Sequence, residues 1–365
     1  MKEELADLFF KKYKQEAHLL VQAPTRINLI GEHTDYNGGL VLPAAIGHYI
    51  YFAIAPTKAP VVFISDENKQ EQFAFELDEA LEINSLSQWR KYFYGTIRIL
   101  QEKHSLGGFQ LIKLGTAPVG AGISSSAALC CGFVFALNEL FKLNLDKWEM
   151  AQIARRAEQE YVGLNCGIMD QFAVLFGEAD SCLLLNCSNL EYSSHKINLK
   201  ASQFILANSR VKHNLAESAY NERVSEFEAL KEVSNLVKVR NPRQRHFDSE
   251  NKRVEEMVDC LARGDLKRAG DLLNEGHQSL KDDYEVTCNE TDLLQKLFVE
   301  AGALGARQMG GGFGGCILVL ASNENLVELK EKVNIQYHEV FGLNIDYYDF
   351  KIVDGVKLIL NAKFT

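Results

Sequence analysis

Residues 23–46 read Ala23-Pro-Thr-Arg-Ile-Asn-Leu-Ile-Gly-Glu-His-Thr-Asp-Tyr-Asn-Gly-Gly-Leu-Val-Leu-Pro-Ala-Ala-Ile46. The two ends, 27–30 and 40–46, are apolar and have the composition of strands. Between them Glu32, His33, Thr34, Asp35, Tyr36 and Asn37 follow one another without interruption, closed by Gly38 and Gly39. A hairpin connection needs only two to five small or polar residues. It does not call for two carboxylates, an imidazole and a phenol held between buried strands. A decorated surface turn is the plain alternative, but the wording of this stretch is too particular for it.

Composition sets the outer limits. A chain of 365 residues with 47% hydrophobic residues has room for two domains and no shortage of core. The net charge is −10, with Lys and Arg scattered, so no basic footprint points to nucleic acid or an anionic membrane. Any polyphosphate must therefore be held by a specific loop. The start, Met-Lys-Glu-Glu, is unlike a signal peptide. The most apolar helical stretch, 127–140, is too short to span a bilayer. The eight cysteines lack C-x-x-C spacing, which suits buried thiols in a reducing cytoplasm better than zinc or a disulfide framework.

Along the chain, Leu5, Leu8, Phe9, Tyr13 and Ala17 predict an amphipathic opening helix within 1–22. Strands are expected at 61–65, 72–76 and 109–114, with a helix over 89–103. A glycine-rich loop at 116–123 leads to a helix starting near Ser124. Asp146 is placed as N-cap of a helix over 147–161. Residues 173–185 and 204–208 have strand-like composition, whereas 216–281 is mostly helical, broken at Asn241-Pro242. Strand, helix and strand follow at 316–321, 326–341 and 347–353. Strands and helices alternate without regular βαβ spacing, so the expectation is a two-domain α+β protein divided near 190–205.

Three further segments carry chemistry. Pro118-Val-Gly-Ala-Gly-Ile-Ser-Ser-Ser-Ala-Ala128 is a glycine-rich loop running into good helix formers. Gly120 and Gly122 permit close backbone approach, and the amides at the helix start favour an anion. Ser124, Ser125 and Ser126 exceed what capping requires. No G-x-x-x-x-G-K-[ST] occurs, so this is not a Walker A loop. Gly310-Gly-Gly-Phe-Gly-Gly315 formally contains G-x-G-x-x-G, but the strand-like Cys-Ile-Leu-Val-Leu-Ala that follows rules out a dinucleotide site. Cys166-Gly-Ile-Met-Asp-Gln171 places a carboxylate in an apolar setting, where it is either structural with a hidden partner or functional.

Glu32-His-Thr-Asp-Tyr-Asn-Gly-Gly39 resembles the signature of galactokinases, sugar kinases of the GHMP superfamily. The serine loop is similar to the second GHMP motif and Gly310–Gly315 to the third, while Cys166–Gln171 resembles the galactokinase segment bearing the catalytic aspartate. Trp89-x-x-Tyr92-x-x-Gly95, Ser218–Arg223, His277–Val286 and Gly305-Ala-Arg307 are also family-like, so the likeness covers nearly the whole chain.

This resemblance implies a two-domain α+β GHMP kinase fold: a ribosomal-protein-S5-like N-terminal domain (1–200), an α+β C-terminal domain (201–365), and an active site in the cleft between them. It implies Asp170 and Arg26 as the catalytic pair, with Asp170 either taking the C1 proton or only orienting the hydroxyl. Glu32, His33, Thr34, Asp35, Gly167 and Tyr220 would hold the sugar. Trp89 would lie at the adenine, and Gly120, Ala121, Gly122, Ile123, Ser124, Ser125 and Ser126 would hold the phosphates of ATP. Ser126 and Glu158 would bind Mg²⁺.

The implied reaction is ATP-dependent phosphorylation of galactose at C1 by a cytoplasmic monomer without nucleic-acid or membrane partners. A kinase for N-acetylgalactosamine or arabinose and a non-catalytic galactose sensor are the alternatives. Thr25, Gln308-Met309, Asn186, Ser188 and Val224 depart from the family pattern.

Overall fold

The computed structural model describes residues 1–118, 121–212, 220–226 and 241–361. Strand β1 (Leu19–Asn28) carries the first half of the signature, and β2 (Leu40–Val41) and β3 (Pro43–Pro56) receive the second. With β4 (Val61–Asp66), β5 (Glu71–Glu76), β6 (Phe109–Gly115) and a distant strand at Lys357–Asn361, β1 and β3 form a six-stranded sheet. Its pairings are antiparallel except β4 with β6. The opening helix α1 (Lys2–Tyr13) packs Leu5 and Phe9 on one face of this sheet. It stops at Lys14 in a left-handed cap, so Ala17 lies beyond it.

The other face is covered by α2 (Gln88–Gln101), α3 (Ser125–Phe141), α4 (Lys147–Arg156) and α5 (Met169–Phe176). Helix α3 is apolar nearly all round because it is buried nearly all round. Asp146 caps α4 as expected, in a reciprocal capping box with Glu149. After Arg156 the helix widens into a π-helical turn, Ala157–Val162, which sets Glu158 inward.

The strand expected over 173–185 is corrected. Residues 173–176 belong to α5, and β7 starts only at Ser181 (Ser181–Asn186). A short run buried on every side has no readable period, so its apolarity fits helix and strand equally. Strand β7 joins β2 and β8 (Tyr192–Lys196) in a three-stranded sheet.

The C-terminal half is built on the sheet β10-β11-β9-β12, comprising Gly305–Gln308, Gly314–Ser322, Ser202–Lys212 and Asp346–Asp349 respectively. Around it lie α6 (Pro242–Arg263), α7 (Leu266–Ser279), α8 (Asn289–Glu300) and α9 (Leu326–Phe341). Asn241 caps α6 with Pro242 in its first turn, the position of the expected break. Residues 220–226 are helical, whereas the helix expected over 216–219 and 227–240 falls outside the described residues.

Two features cross the expected division at 200/201. Ile27, Leu29, Ile30, Leu42 and Ile46 share one apolar core with Val254, Met257, Leu272 and Leu273 of α6 and α7. The strand Lys357–Asn361, β13, returns to pair with β1. Among the described residues no helix is long and apolar enough to cross a membrane.

Candidate active site

The signature loop closes on itself before it presents anything to a ligand. The Thr34 hydroxyl lies 2.8 Å from the Gly31 carbonyl and 2.7 Å from that of Leu40. Thr34 is fully buried and absent from the cavity lining, so its expected contact with a sugar is corrected to a clasp across the loop. What the clasp leaves facing inward is Glu32, His33, Asp35 and Tyr36. With Arg26, Asp170, Cys166, Tyr220 and the backbone of Gly310–Gly312 they line a cavity of about 220 Å³. Liquid water takes about 30 Å³ per molecule, so the space admits a small polar molecule several times that size.

Asp170 sits in the first turn of α5, and Arg26 reaches it from β1, just past a bulge between Pro24 and Thr25. The pair is bidentate, Nε donating to Oδ1 at 2.7 Å and Nη2 to Oδ2 at 2.8 Å. Arg26 Nη1 also donates to the Gly122 carbonyl at 2.7 Å, and the Ser124 hydroxyl donates to Asp170 Oδ2. The glycine-rich loop is thus fastened to the Arg26–Asp170 pair. Gly122 takes a left-handed φ of 67°, and the Cβ it lacks would sit 3.6 Å from the Met309 carbonyl, bringing the second and third glycine segments together.

Asp35 backs onto Gly167. A Cβ at Gly167 would lie 2.0 Å from Asp35 Oδ2, so any larger residue there must push the Asp35 side chain aside. Burial pushes the Asp35 carboxyl up to about 7, with the Asp170 charge acting the same way. Burial also raises Glu158 to about 7, against the stabilising hydrogen bonds from the Ser126 hydroxyl and the Gln171 amide. Ser126 and Glu158 therefore do meet. Among the described residues no group of three or more His, Cys, Asp or Glu could form a metal cage.

The rest of the expected nucleotide loop is placed unevenly. Ala121 and Ile123 are buried in the core shared by the two halves, leaving only their backbone to a ligand. Ile123 accepts from the Arg26 amide, Ser125 opens α3, and Gly120 lies outside the described residues. Trp89 is not brought to the cavity. Its indole donates to Glu71 at 2.9 Å, and its ring packs edge-on against Phe73 and Phe93.

Sequence reasoning missed the bracing behind the signature. Glu250, fully buried on α6, accepts from the Gly31 amide at 2.8 Å, the Glu32 amide at 3.3 Å and Arg253 Nε at 2.7 Å. Burial would raise its carboxyl, but Arg253, His246 and Arg307 hold it down to about 2. His246 Nε2 lies 3.0 Å from the Glu32 carbonyl. Arg307, buried completely, donates to the carbonyls of Asn28 and Leu29 and to Glu32 Oε1. Glu32 Oε1 also accepts from the Gly310 amide at 3.0 Å. His246, Glu250 and Arg253 stand four and three residues apart on one helix face, the spacing that could have disclosed them.

Three family models match the chain. These are the galactokinase galactose-binding signature over residues 7–56, GHMP kinases N terminal domain over 91–178, and GHMP kinases C terminal over 257–339. A galactokinase of Thermotoga maritima is 37% identical over 355 residues, covering 93% of this chain and 99% of that protein. The crystal structure of Lactococcus lactis galactokinase complexed with galactose superposes with a TM-score of 0.89 at 33% identity, covering 98% of this chain and 99% of that one. Methanococcus jannaschii mevalonate kinase, at 18% identity and a TM-score of 0.71 over 93% of this chain and 99% of its own, shares the fold. The bidentate Arg26–Asp170 pair, the braced signature and these near-full-length likenesses agree: the chain belongs to the galactokinase family of GHMP kinases.

Proposed function

We propose that the chain transfers the γ-phosphoryl group of ATP to the C1 hydroxyl of D-galactose, giving α-D-galactose 1-phosphate and ADP. The observation that carries this reading is that Arg26–Asp170 touches both the sugar-sized cavity and the glycine-rich loop. Glu32, His33, Asp35 and Tyr220 receive the sugar hydroxyls, with Gly167 leaving room for the Asp35 carboxylate. Asp170 accepts a hydrogen bond from the C1 hydroxyl and either takes its proton or aims its oxygen. Arg26 steadies the charge that develops beside it. Phosphoryl transfer through a loose transition state asks chiefly for such positioning and charge stabilisation.

The Ser126–Glu158 contact suits Mg²⁺, which needs one or two protein oxygens and completes its shell with water and phosphate. Burial raises the Glu158 carboxyl to about 7 even though Arg26 acts to lower it, and a cation bound beside it would favour the carboxylate. When bound with ATP, Mg²⁺ supplies charge neutralisation at the phosphates. Trp89 is retained as the side of the adenine pocket, although its ring belongs to the packed core in this structure. Eight free thiols suit a protein working in a reducing cytoplasm, and the chain is read as a monomer there.

An ADP-release assay across a panel of free sugars tests the reading. Rapid release with galactose and little with its C4 epimer glucose is the expected result. Turnover confined to N-acetylgalactosamine or arabinose, or galactose binding without ADP release, would overturn it.

A further inference from the structure

His33 lines the cavity and stands within ring contact of Tyr36, Tyr220 and Tyr284, with centroids 5.9, 5.7 and 4.9 Å away. Its Nδ1 lies 2.7 Å from the Tyr36 hydroxyl, while its Nε2 is buried without a partner among the described residues. The Tyr36 hydroxyl lies 3.0 Å from that of Tyr284, a residue of the π-helical turn Leu280–Tyr284 in the C-terminal half. Beyond it stands Asn37, whose Nδ2 donates to the His33 carbonyl at 3.0 Å and to Tyr284 at 3.4 Å.

This row has a direction. An amide nitrogen only donates, and the His33 carbonyl fixes which end of Asn37 is the nitrogen. Tyr284 therefore accepts from Asn37. With its oxygen so engaged, its own proton has the Tyr36 oxygen as its acceptor among the described residues. Tyr36 in turn sends its proton to His33 Nδ1. The opposite polarity would give the Tyr284 oxygen two incoming protons and leave its own without an acceptor among the described residues. Each link then hands one proton on, and the imidazole proton is left on Nε2.

We propose that Tyr36 and Tyr284 are positioning residues that hold His33 in its Nε2–H tautomer, so that His33 meets the sugar as a hydrogen-bond donor. The proposal rests on the sugar-kinase reading of the same cavity. Two observations support it further. Burial lowers His33 to about 3, so the ring is neutral and its tautomer matters. Burial also keeps Tyr36 well above the usual phenol range, so its proton stays available to donate. A buried donor without an acceptor is rare in a folded protein. One lining a cavity is satisfied by what the cavity binds, here a sugar oxygen. Tyr284, which is not part of the cavity wall, would thus act on sugar recognition through a hydrogen-bond polarity that it imposes, without touching the sugar itself.

The test is long-range ¹H–¹⁵N correlation on the full chain labelled with ¹⁵N-histidine and free of sugar, with the His33 signals identified from their loss in His33→Gln. A neutral ring protonated at Nε2 is expected, and a ring protonated at Nδ1 would overturn the proposal. Tyr36→Phe should yield a mixture of tautomers, raise the galactose KM by about 2- to 12-fold, the worth of one neutral hydrogen bond, and leave the ATP KM unchanged. Tyr284→Phe should shift the tautomer in the same direction to a smaller extent. An unchanged tautomer in both variants would overturn the proposal even if galactose affinity fell. The spectrum of the sugar-free protein does not depend on which sugar is phosphorylated, so a failure of the functional reading would appear in the ADP assay alone.

Discussion

The two halves of the active site are held in opposite ways. The sugar loop is clasped by Thr34 and braced from behind by Glu250, His246 and Arg307, all buried and all reaching across from the C-terminal half. The polar contacts that Gly122, Ile123 and Ser124 of the glycine-rich loop make outside α3 run instead to Arg26 and Asp170, and Gly122 also faces the opposite glycine segment. One loop is built before its ligand arrives, and the other is tied to Arg26 and Asp170. Preorganisation of the first lowers the cost of ordering on binding sugar. Fastening of the second means that damage to Asp170 is felt by the glycine-rich loop.

The largest effect should come from the shared fastening point. Asp170→Asn removes the charge and the ability to take a proton while keeping size. It should lower kcat by about 10²–10⁴-fold, with galactose binding still measurable by calorimetry. Because Arg26 holds both oxygens, Asp170→Asn combined with Arg26→Ala should cost less than the sum of the single losses. A near-wild-type single-turnover rate in the Asn variant would return Asp170 to a structural role.

Next comes the brace. Glu250→Ala leaves Arg253 buried and the Gly31 amide unpaired, so it should cost about 3–5 kcal/mol in denaturant unfolding. Glu250→Gln should recover part of this, and its galactose KM should rise while its ATP KM does not. Equal changes in both KM values would erase the contrast between the two loops.

A smaller effect concerns pH. The folded-state pKa of Asp35 is raised to about 7, so between about 4 and 7 the native state holds a proton that the unfolded chain releases. Its contribution to stability therefore falls as pH rises across that window and is level above it. His33, lowered to about 3, and His246, also lowered, act in the opposite sense over the acidic part of the window, so the informative quantity is a difference. The stability of Asp35→Asn relative to wild type should grow from pH 4 to pH 7, by on the order of 2–4 kcal/mol. A difference that does not vary with pH would mean that Asp35 titrates normally.

The smallest effect is expected from Gly167→Ala. The new methyl group meets a carboxylate at the cavity wall, and the galactose KM should rise about 10-fold, in line with modest overpacking. An unchanged KM would show that Asp35 can step aside and that the sugar loop is less rigid than its bracing implies.

The parts of this site legible in the sequence were those whose chemistry is contiguous. Glu32 to Asn37 stand in a row, and Ser124 to Ser126 follow two glycines, so residue type and order spoke together. Asp170 was legible as a carboxylate in an apolar run. What escaped depends on distance along the chain. Glu250 lies more than two hundred residues from the amides it holds, and no local pattern records that meeting. Thr34 was misassigned because a hydroxyl in a polar run looks the same whether it faces a ligand or its own loop. The stretch 173–176 was misread because a segment buried on all sides keeps no period.

The return of β13 to β1 has a consequence for synthesis. Leu19 to Gln22 pair with residues 357–361, so more than three hundred residues must be made before that edge of the sheet is covered. At ribosomal rates of about 5–20 residues per second, the edge stays open on the order of tens of seconds. An uncovered strand edge is a template for pairing with another chain. The nascent enzyme is accordingly most exposed to misassembly while its sugar signature, which continues from the same strand, already exists as sequence but not yet as a finished site.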